Sequence, residues 1–284
     1  MRRGTRLFKT ALNYIYATLF LSFLLFPLVV VVPASFSEGR ILNFPPKGFT
    51  LDWFEKLFTN RGWSDSFFLS LQVAGLAALV TVVCAMMLGL AQYRYSKLGQ
   101  GMWVTAMLPM FVPNIIVATG LFTILLNLER LGNPVVLSLA DATAALPLAV
   151  ALMMDSFGRL SPNLWFAASS LGAKPTTVLR RVLMPEIMVP MLSAMVLSFA
   201  HAFDEVTFAV FIGVGNSQVL PARMYSYMIY QVDPILPAVG TVLFTVAILC
   251  TLLVPLIRAV QRAVLSAQRR RTQRDMAHTQ PTGQ

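Results

Sequence analysis

Three carboxylates, Asp141, Asp204 and Glu205, each fall inside a long apolar run of this sequence. A carboxylate at mid-bilayer costs about 2.5–3.5 kcal/mol on insertion scales, so it normally faces a cavity or a partner. Two roles are open to Asp204 and Glu205. They line a passage and attract a cationic solute, or they lie near a helix end, pair with a base or face a neighbouring subunit. Adjacent residues diverge by about 100° around a helix, so at most one of the two faces a channel centre. Asp141 carries the same two readings. His201, one turn before Glu205, could donate to it, although a packing histidine is the favoured reading. The remaining reactive inventory is small. The other histidine, His278, sits in a polar stretch, and Cys84 and Cys250 lie within apolar runs as packing residues. There is no His-Glu-x-x-His, no Gly-x-Ser-x-Gly and no spaced Cys/His set, which argues against an enzyme and against a resident metal. The chain also lacks Gly-x-x-x-x-Gly-Lys-Ser/Thr, so it has no cradle for ATP phosphates of its own.

The elements that must position these residues are set by composition. Of 284 residues 57% are hydrophobic and 12% charged, with a mean hydropathy of +0.70. The charged fraction is about half that of a soluble domain. A bilayer core about 30 Å thick needs about 20 apolar residues per helix. Runs of that length cover roughly 11–33, 65–92, 103–127, 134–156, 187–213 and 236–259. Each must be helical, because lipid offers no partner to a free backbone group. The first run could be read as a secretory signal, with Val32-Pro33-Ala34 as a loose cleavage site. Its length favours an uncleaved helix. The net charge of +10 (pI about 10.1) suggests nucleic acid only until the charges are placed. With the N-terminus inside, sixteen of the 22 Lys and Arg fall in cytoplasmic segments. Those outside are Arg40, Lys47, Lys56, Arg61, Arg130 and Arg223. This asymmetry predicts six spans with both termini cytoplasmic. The chain then divides into a basic N-terminus (1–10), a transmembrane domain (11–260) and a basic, disordered tail (261–284) resting on anionic lipid. In the external loop 34–64, Thr50 can cap a short helix with Leu51, Phe54, Leu57 and Phe58 on one face. That helix is expected at the membrane interface, with Trp53 and Trp63 at headgroup depth.

The most patterned segment is the polar loop 155–186. Ser161-Pro162 is an N-cap with a first-turn proline, so a helix starts there and runs to Gly172, a C-terminal glycine. Lys174-Pro175 opens a second short helix that should end at Pro185. Within this loop Phe166-Ala167-Ala168, three residues, Gly172, nine residues, Val182, one residue and Met184-Pro185 have a distinctive spacing. The spacing resembles the EAA loop of ABC importer permeases, whose pattern is Glu-Ala-Ala, three residues, Gly, nine residues, Ile, one residue, Leu-Pro. Phe166 departs from the Glu, and Val182 and Met184 are conservative changes. Further likeness lies in Leu108-Pro109 with Val112-Pro113 and in Gly48-Phe49-Thr50 before Trp53-Phe54. Phe203-Asp204-Glu205-Val206 with Leu220-Pro221 and Pro234 most resembles the spermidine/putrescine branch. Iron, thiamine, aminophosphonate and opine importers have similar permeases.

The resemblance implies an all-α membrane protein, a six-helix bundle of the type I ABC importer permease kind, in a bacterial inner membrane. It implies a coupling helix that seats in the ATP-binding subunit through Phe166, Ala167, Ala168, Leu171, Gly172, Ala173, Val182 and Pro185. At Phe166 the contact would be apolar packing in place of a charge. The implied partners are a second permease, an ATPase dimer that binds the ATP, and an extracytoplasmic solute-binding protein. No cofactor in this chain and no nucleic acid are implied. A self-sufficient secondary carrier is the rival, and it would have no use for a socket-fitting loop.

Overall fold

A computed structural model describes residues 2–39, 45–46, 48–213, 218–230 and 234–249. The described residues are mostly helical, joined by turns and loops, with one isolated antiparallel bridge, Ser37 to Phe49. They fall into two compact units, those within 1–57 with those within 232–284, and those within 58–231.

In the first unit α1 (Arg2–Ala34) contains a 23-residue apolar span from Leu12, whose most apolar 18 residues are nowhere buried by the protein itself. Lipid is the environment such a surface requires. A turn at Ser35–Ser37 leads to the bridge, where the Thr50 amide donates to the Phe36 carbonyl. Thr50 Oγ1 then accepts from the Asp52 amide and starts α2 (Asp52–Thr59), as its position before the apolar repeat predicts. The face that α2 buries differs from the expected one. Trp53 and Leu57, one turn apart, point inward, whereas Leu51 and Phe58 are exposed. Trp53 is drawn in because its indole N–H donates to the Ser37 carbonyl at 3.0 Å, while Lys56 covers its ring. The unit also contains α12 (Ile235–Leu249), an apolar helix.

The second unit is built on α3 (Arg61–Arg94), which Asn60 caps through the Gly62 amide. It packs against α6 (Pro134–Gly158) and α9 (Met184–Asp204), which also pack on each other. Most of the residues that α3 buries are small, among them Ser70, Ala74, Ala77, Ala78, Thr81, Ala85 and Gly89. In lipid helices gain little from excluding water from one another, so close backbone approach through small residues supplies the adhesion. Two contacts show how close it is. Thr81 Oγ1 reaches across to the Ala142 carbonyl at 3.2 Å, and any side chain at Gly89 would collide with the Phe157 ring.

Two of the expected spans are interrupted. After α4 (Ser96–Met107) the chain makes a 3-10 turn over Leu108–Phe111, and Val112 is extended before α5 (Asn114–Asn127) begins. Pro113 excludes Val112 from the helical region, and the result is a 92° break. Similarly, α9 ends at Asp204, and a short α10 (Thr207–Ile212) follows. Pro147, by contrast, lies inside a continuous α6. Among the described residues four helices are long and apolar enough to cross a membrane, or five if the bent pair counts as one. The tail and residues 250–259 of the sixth expected run lie outside the described residues.

Candidate functional site

The patterned loop is a rigid protrusion. Its first helix, α7 (Asn163–Ser170), closes as the Ser161-Pro162 and Gly172 signals predict. The Asn163 amide points at Ser161 Oγ. At the far end Gly172 takes φ +81°, its amide donates to the Ser169 carbonyl, and the Ala173 amide donates to the Ala168 carbonyl. This paired closure is a Schellman motif, and it needs a left-handed residue at Gly172. A Cβ there would meet nothing within 4 Å, so only backbone strain opposes a substitution.

The faces of α7 divide cleanly. Trp165, Ala168 and Ala173 pack inward on the core formed by α3, α6 and α9. Phe166 (64% exposed) and Leu171 (89%) stand outward with Ala167 between them. The helix is tied at its root by two residues that sequence reasoning did not select. Tyr93 Oη donates to the Ser161 carbonyl at 2.7 Å, and the Arg94 guanidinium lies 4.4 Å from the Trp165 ring centre and 6.0 Å from that of Phe166. No local pattern marks them, because their partners are about 70 residues away.

The second half of the loop departs from expectation. Pro185 does not end a short helix. After α8 (Pro175–Val178) the chain passes through a π turn, Leu179–Leu183, directly into α9, so Pro175–Asp204 is one helical span. The Met184 amide donates to the Leu179 carbonyl, five residues back. The wider turn spares Pro185 the clash that an α turn would impose. Pro185 therefore sits in the first turn of α9, exposed, while Val182 packs on the core.

The three carboxylates are placed differently from one another. Asp204 is exposed at the last turn of α9, and Glu205 leaves the helix with ψ 113°. Glu205 bridges the two broken spans: one oxygen accepts from the Thr207 amide at 2.8 Å, and the other accepts from Asn114 Nδ2 at 3.0 Å. Thr207 opens α10 and Asn114 opens α5, so one carboxylate caps one helix and holds the start of another. His201, exposed, takes no part in this arrangement. Asp141 is 2% exposed within α6, and its Oδ1 has no hydrogen-bond partner among the described residues. It lies within electrostatic reach of Glu205. Beside Asn114, a cavity of about 370 Å³ opens among Thr105, Pro109, Val112, Thr143 and Phe208. No group of three His, Cys, Asp or Glu able to hold a metal occurs among the described residues.

A mostly apolar helical bundle with interrupted spans and a stiff, capped knuckle at one end suits a membrane transport subunit. Residues 81–270 match the model of the binding-protein-dependent transport system inner membrane component, and this chain belongs to that family of ABC importer permeases. It is 26% identical over 237 residues to the spermidine/putrescine transport system permease protein PotC of Haemophilus influenzae, covering 83% of this chain and 92% of that one. It is 27% identical over 222 residues to the putative 2-aminoethylphosphonate transport system permease protein PhnV of Salmonella typhimurium, covering 77% and 83%. Among solved structures, a chain of a bacterial ABC transporter involved in the import of the acidic polysaccharide alginate aligns with a TM-score of 0.65 at 13% identity. The alignment covers 90% of this chain and 97% of that chain, a likeness of fold.

Proposed function

We propose that the chain is the permease subunit of an ATP-driven, binding-protein-dependent importer of polyamines, with six spans and both termini in the cytoplasm of a bacterial inner membrane. The observation that carries the reading is the knuckle: α7 is capped at both ends, tied to α3 and α6, and presents Phe166, Ala167 and Leu171 outward. A motor in water can move a bundle in lipid only through a stiff part that fits a socket. Residues 166–173, with Val182 and Pro185 behind them, form that part, and the socket belongs to a separate ATPase subunit that binds and hydrolyses ATP. A second permease completes the solute path, and a solute-binding protein delivers from outside.

Polyamine as cargo is supported by the likeness to PotC and by the exposed Asp204 beside Glu205, a negative site suited to a cation. Asp204 and Glu205 line the path, with Asp141 buried behind them in α6. The likeness to PhnV supports an aminophosphonate as a second reading. Uptake of labelled spermidine and of 2-aminoethylphosphonate by vesicles holding the whole complex separates the two. Spermidine uptake that survives Asp204→Asn with Glu205→Gln unchanged would remove the acids from the path.

A further inference from the structure

α3 differs from the other long spans. It runs 34 residues without a proline, whereas α1, α6 and α9 all have prolines in their interiors and α4–α5 is broken. At 1.5 Å per residue it is about 50 Å long. That exceeds the roughly 40–45 Å of a bilayer with its headgroups, so the helix is long enough to reach both surfaces.

Each end grips a different small element. The C-terminal end holds α7 through Tyr93 and Arg94, as described above. The N-terminal end holds α11 (Leu220–Tyr230). The Leu220 amide donates to Ser70 Oγ at 2.7 Å, and Arg223 donates to the Gly62 carbonyl and to Ser66 Oγ at 3.1 Å. The Arg223 guanidinium also lies 5.2 Å from the centre of the Trp63 ring, which packs on Tyr227 at 4.9 Å. Trp63 is 1% exposed, so it serves as an inner wall of this clamp and not as a headgroup anchor. A side chain at Gly62 would displace the guanidinium from this place.

We infer that α3 is a transmission rod, with Arg94 and Arg223 as positioning residues that fix the motor-facing helix α7 and the opposite-end helix α11 to its two ends. Motor state would then reach the far side of the membrane as a rigid displacement of α3, without passing through the broken spans. A cation held over an aromatic ring suits this task, because the contact tolerates small sliding without losing its attraction. The inference rests on the coupling reading of α7.

The test uses the complete complex in vesicles. Spin labels on Lys174→Cys and Tyr230→Cys, both exposed sites, report the distance between the two ends of one chain. A rod keeps that distance constant to within about 3 Å between nucleotide-free and ATP-bound states. A fluorophore on Tyr230→Cys alone should change its signal with ATP, and Arg94→Ala should reduce that change about tenfold, with Arg94→Lys restoring part of it. Should Arg94→Ala fail to assemble, Trp165→Leu removes the same contact from the other side and is read in the same way. A changing end-to-end distance, or a full ATP-dependent signal without the Arg94 contact, would overturn the rod. Cross-linking of Leu171→Cys to the ATPase is scored separately. Its absence would overturn the coupling reading, whereas its presence beside a changing distance overturns the rod alone.

Discussion

Gly172 and Glu205 show how much can rest on one residue in this protein. Gly172 holds φ +81° at the end of α7, so Gly172→Ala should cost about 1–2 kcal/mol of local stability through strain alone. Gly172→Asp adds a charge beside Leu171. We expect it to abolish uptake while leaving membrane insertion intact, which protease mapping and transport assays together would check. Glu205 accepts from both Asn114 and Thr207. Side-chain hydrogen bonds between membrane helices average about 0.6 kcal/mol, with a maximum near 1.7, so Asn114→Ala should lower thermal stability modestly. If the bridge sets the path, the same variant should slow uptake several-fold. The acids themselves were legible in the sequence, because a carboxylate in an apolar run is conspicuous. Asn114, Arg94 and Arg223 were not: their partners lie 91, 71 and 161 residues away in the chain, and nothing local advertises them.

At the scale of elements, α7 was readable because its ends are local chemistry: a serine before a proline, and a glycine where a left-handed residue is needed. The start of α2 at Thr50 was readable for the same reason. The break at Glu205 was hidden. Phe203-Asp204-Glu205-Val206 contains neither proline nor glycine, and α9 stops there because the Glu205 carboxylate is engaged elsewhere. The break at Val112–Pro113 falls at a proline plain in the sequence, but its 92° angle depends on packing that periodicity does not record. Restoring the missing amide with Pro113→Ala should let α4 and α5 approach one continuous helix. Cysteine cross-links between the start of α5 and α10 should then weaken.

For the molecule as a whole, the composition announced lipid, and the described helices agree with it. The count of six spans and the inside placement of both ends rest on the charge asymmetry. Cysteine accessibility in intact cells tests them directly: single cysteines replacing Ser170 and Lys174 should be shielded from an impermeant reagent, and those replacing Phe58 and Tyr230 should react. Labelling of position 170 from outside would place the knuckle where no cytoplasmic ATPase could reach it.

The π turn at Leu179–Leu183 gives this arrangement slack. The turn holds one residue more than an α-helix would use, and its wider winding absorbs that residue, so α9 downstream keeps its angular phase. A residue deleted within the regular turns of α9 would instead rotate Asp204 by about 100° about the helix axis. Glu205 would then swing away from Asn114. The acidic site is therefore phased by α9 itself, and the wide turn lets the knuckle differ by a residue without misaligning it.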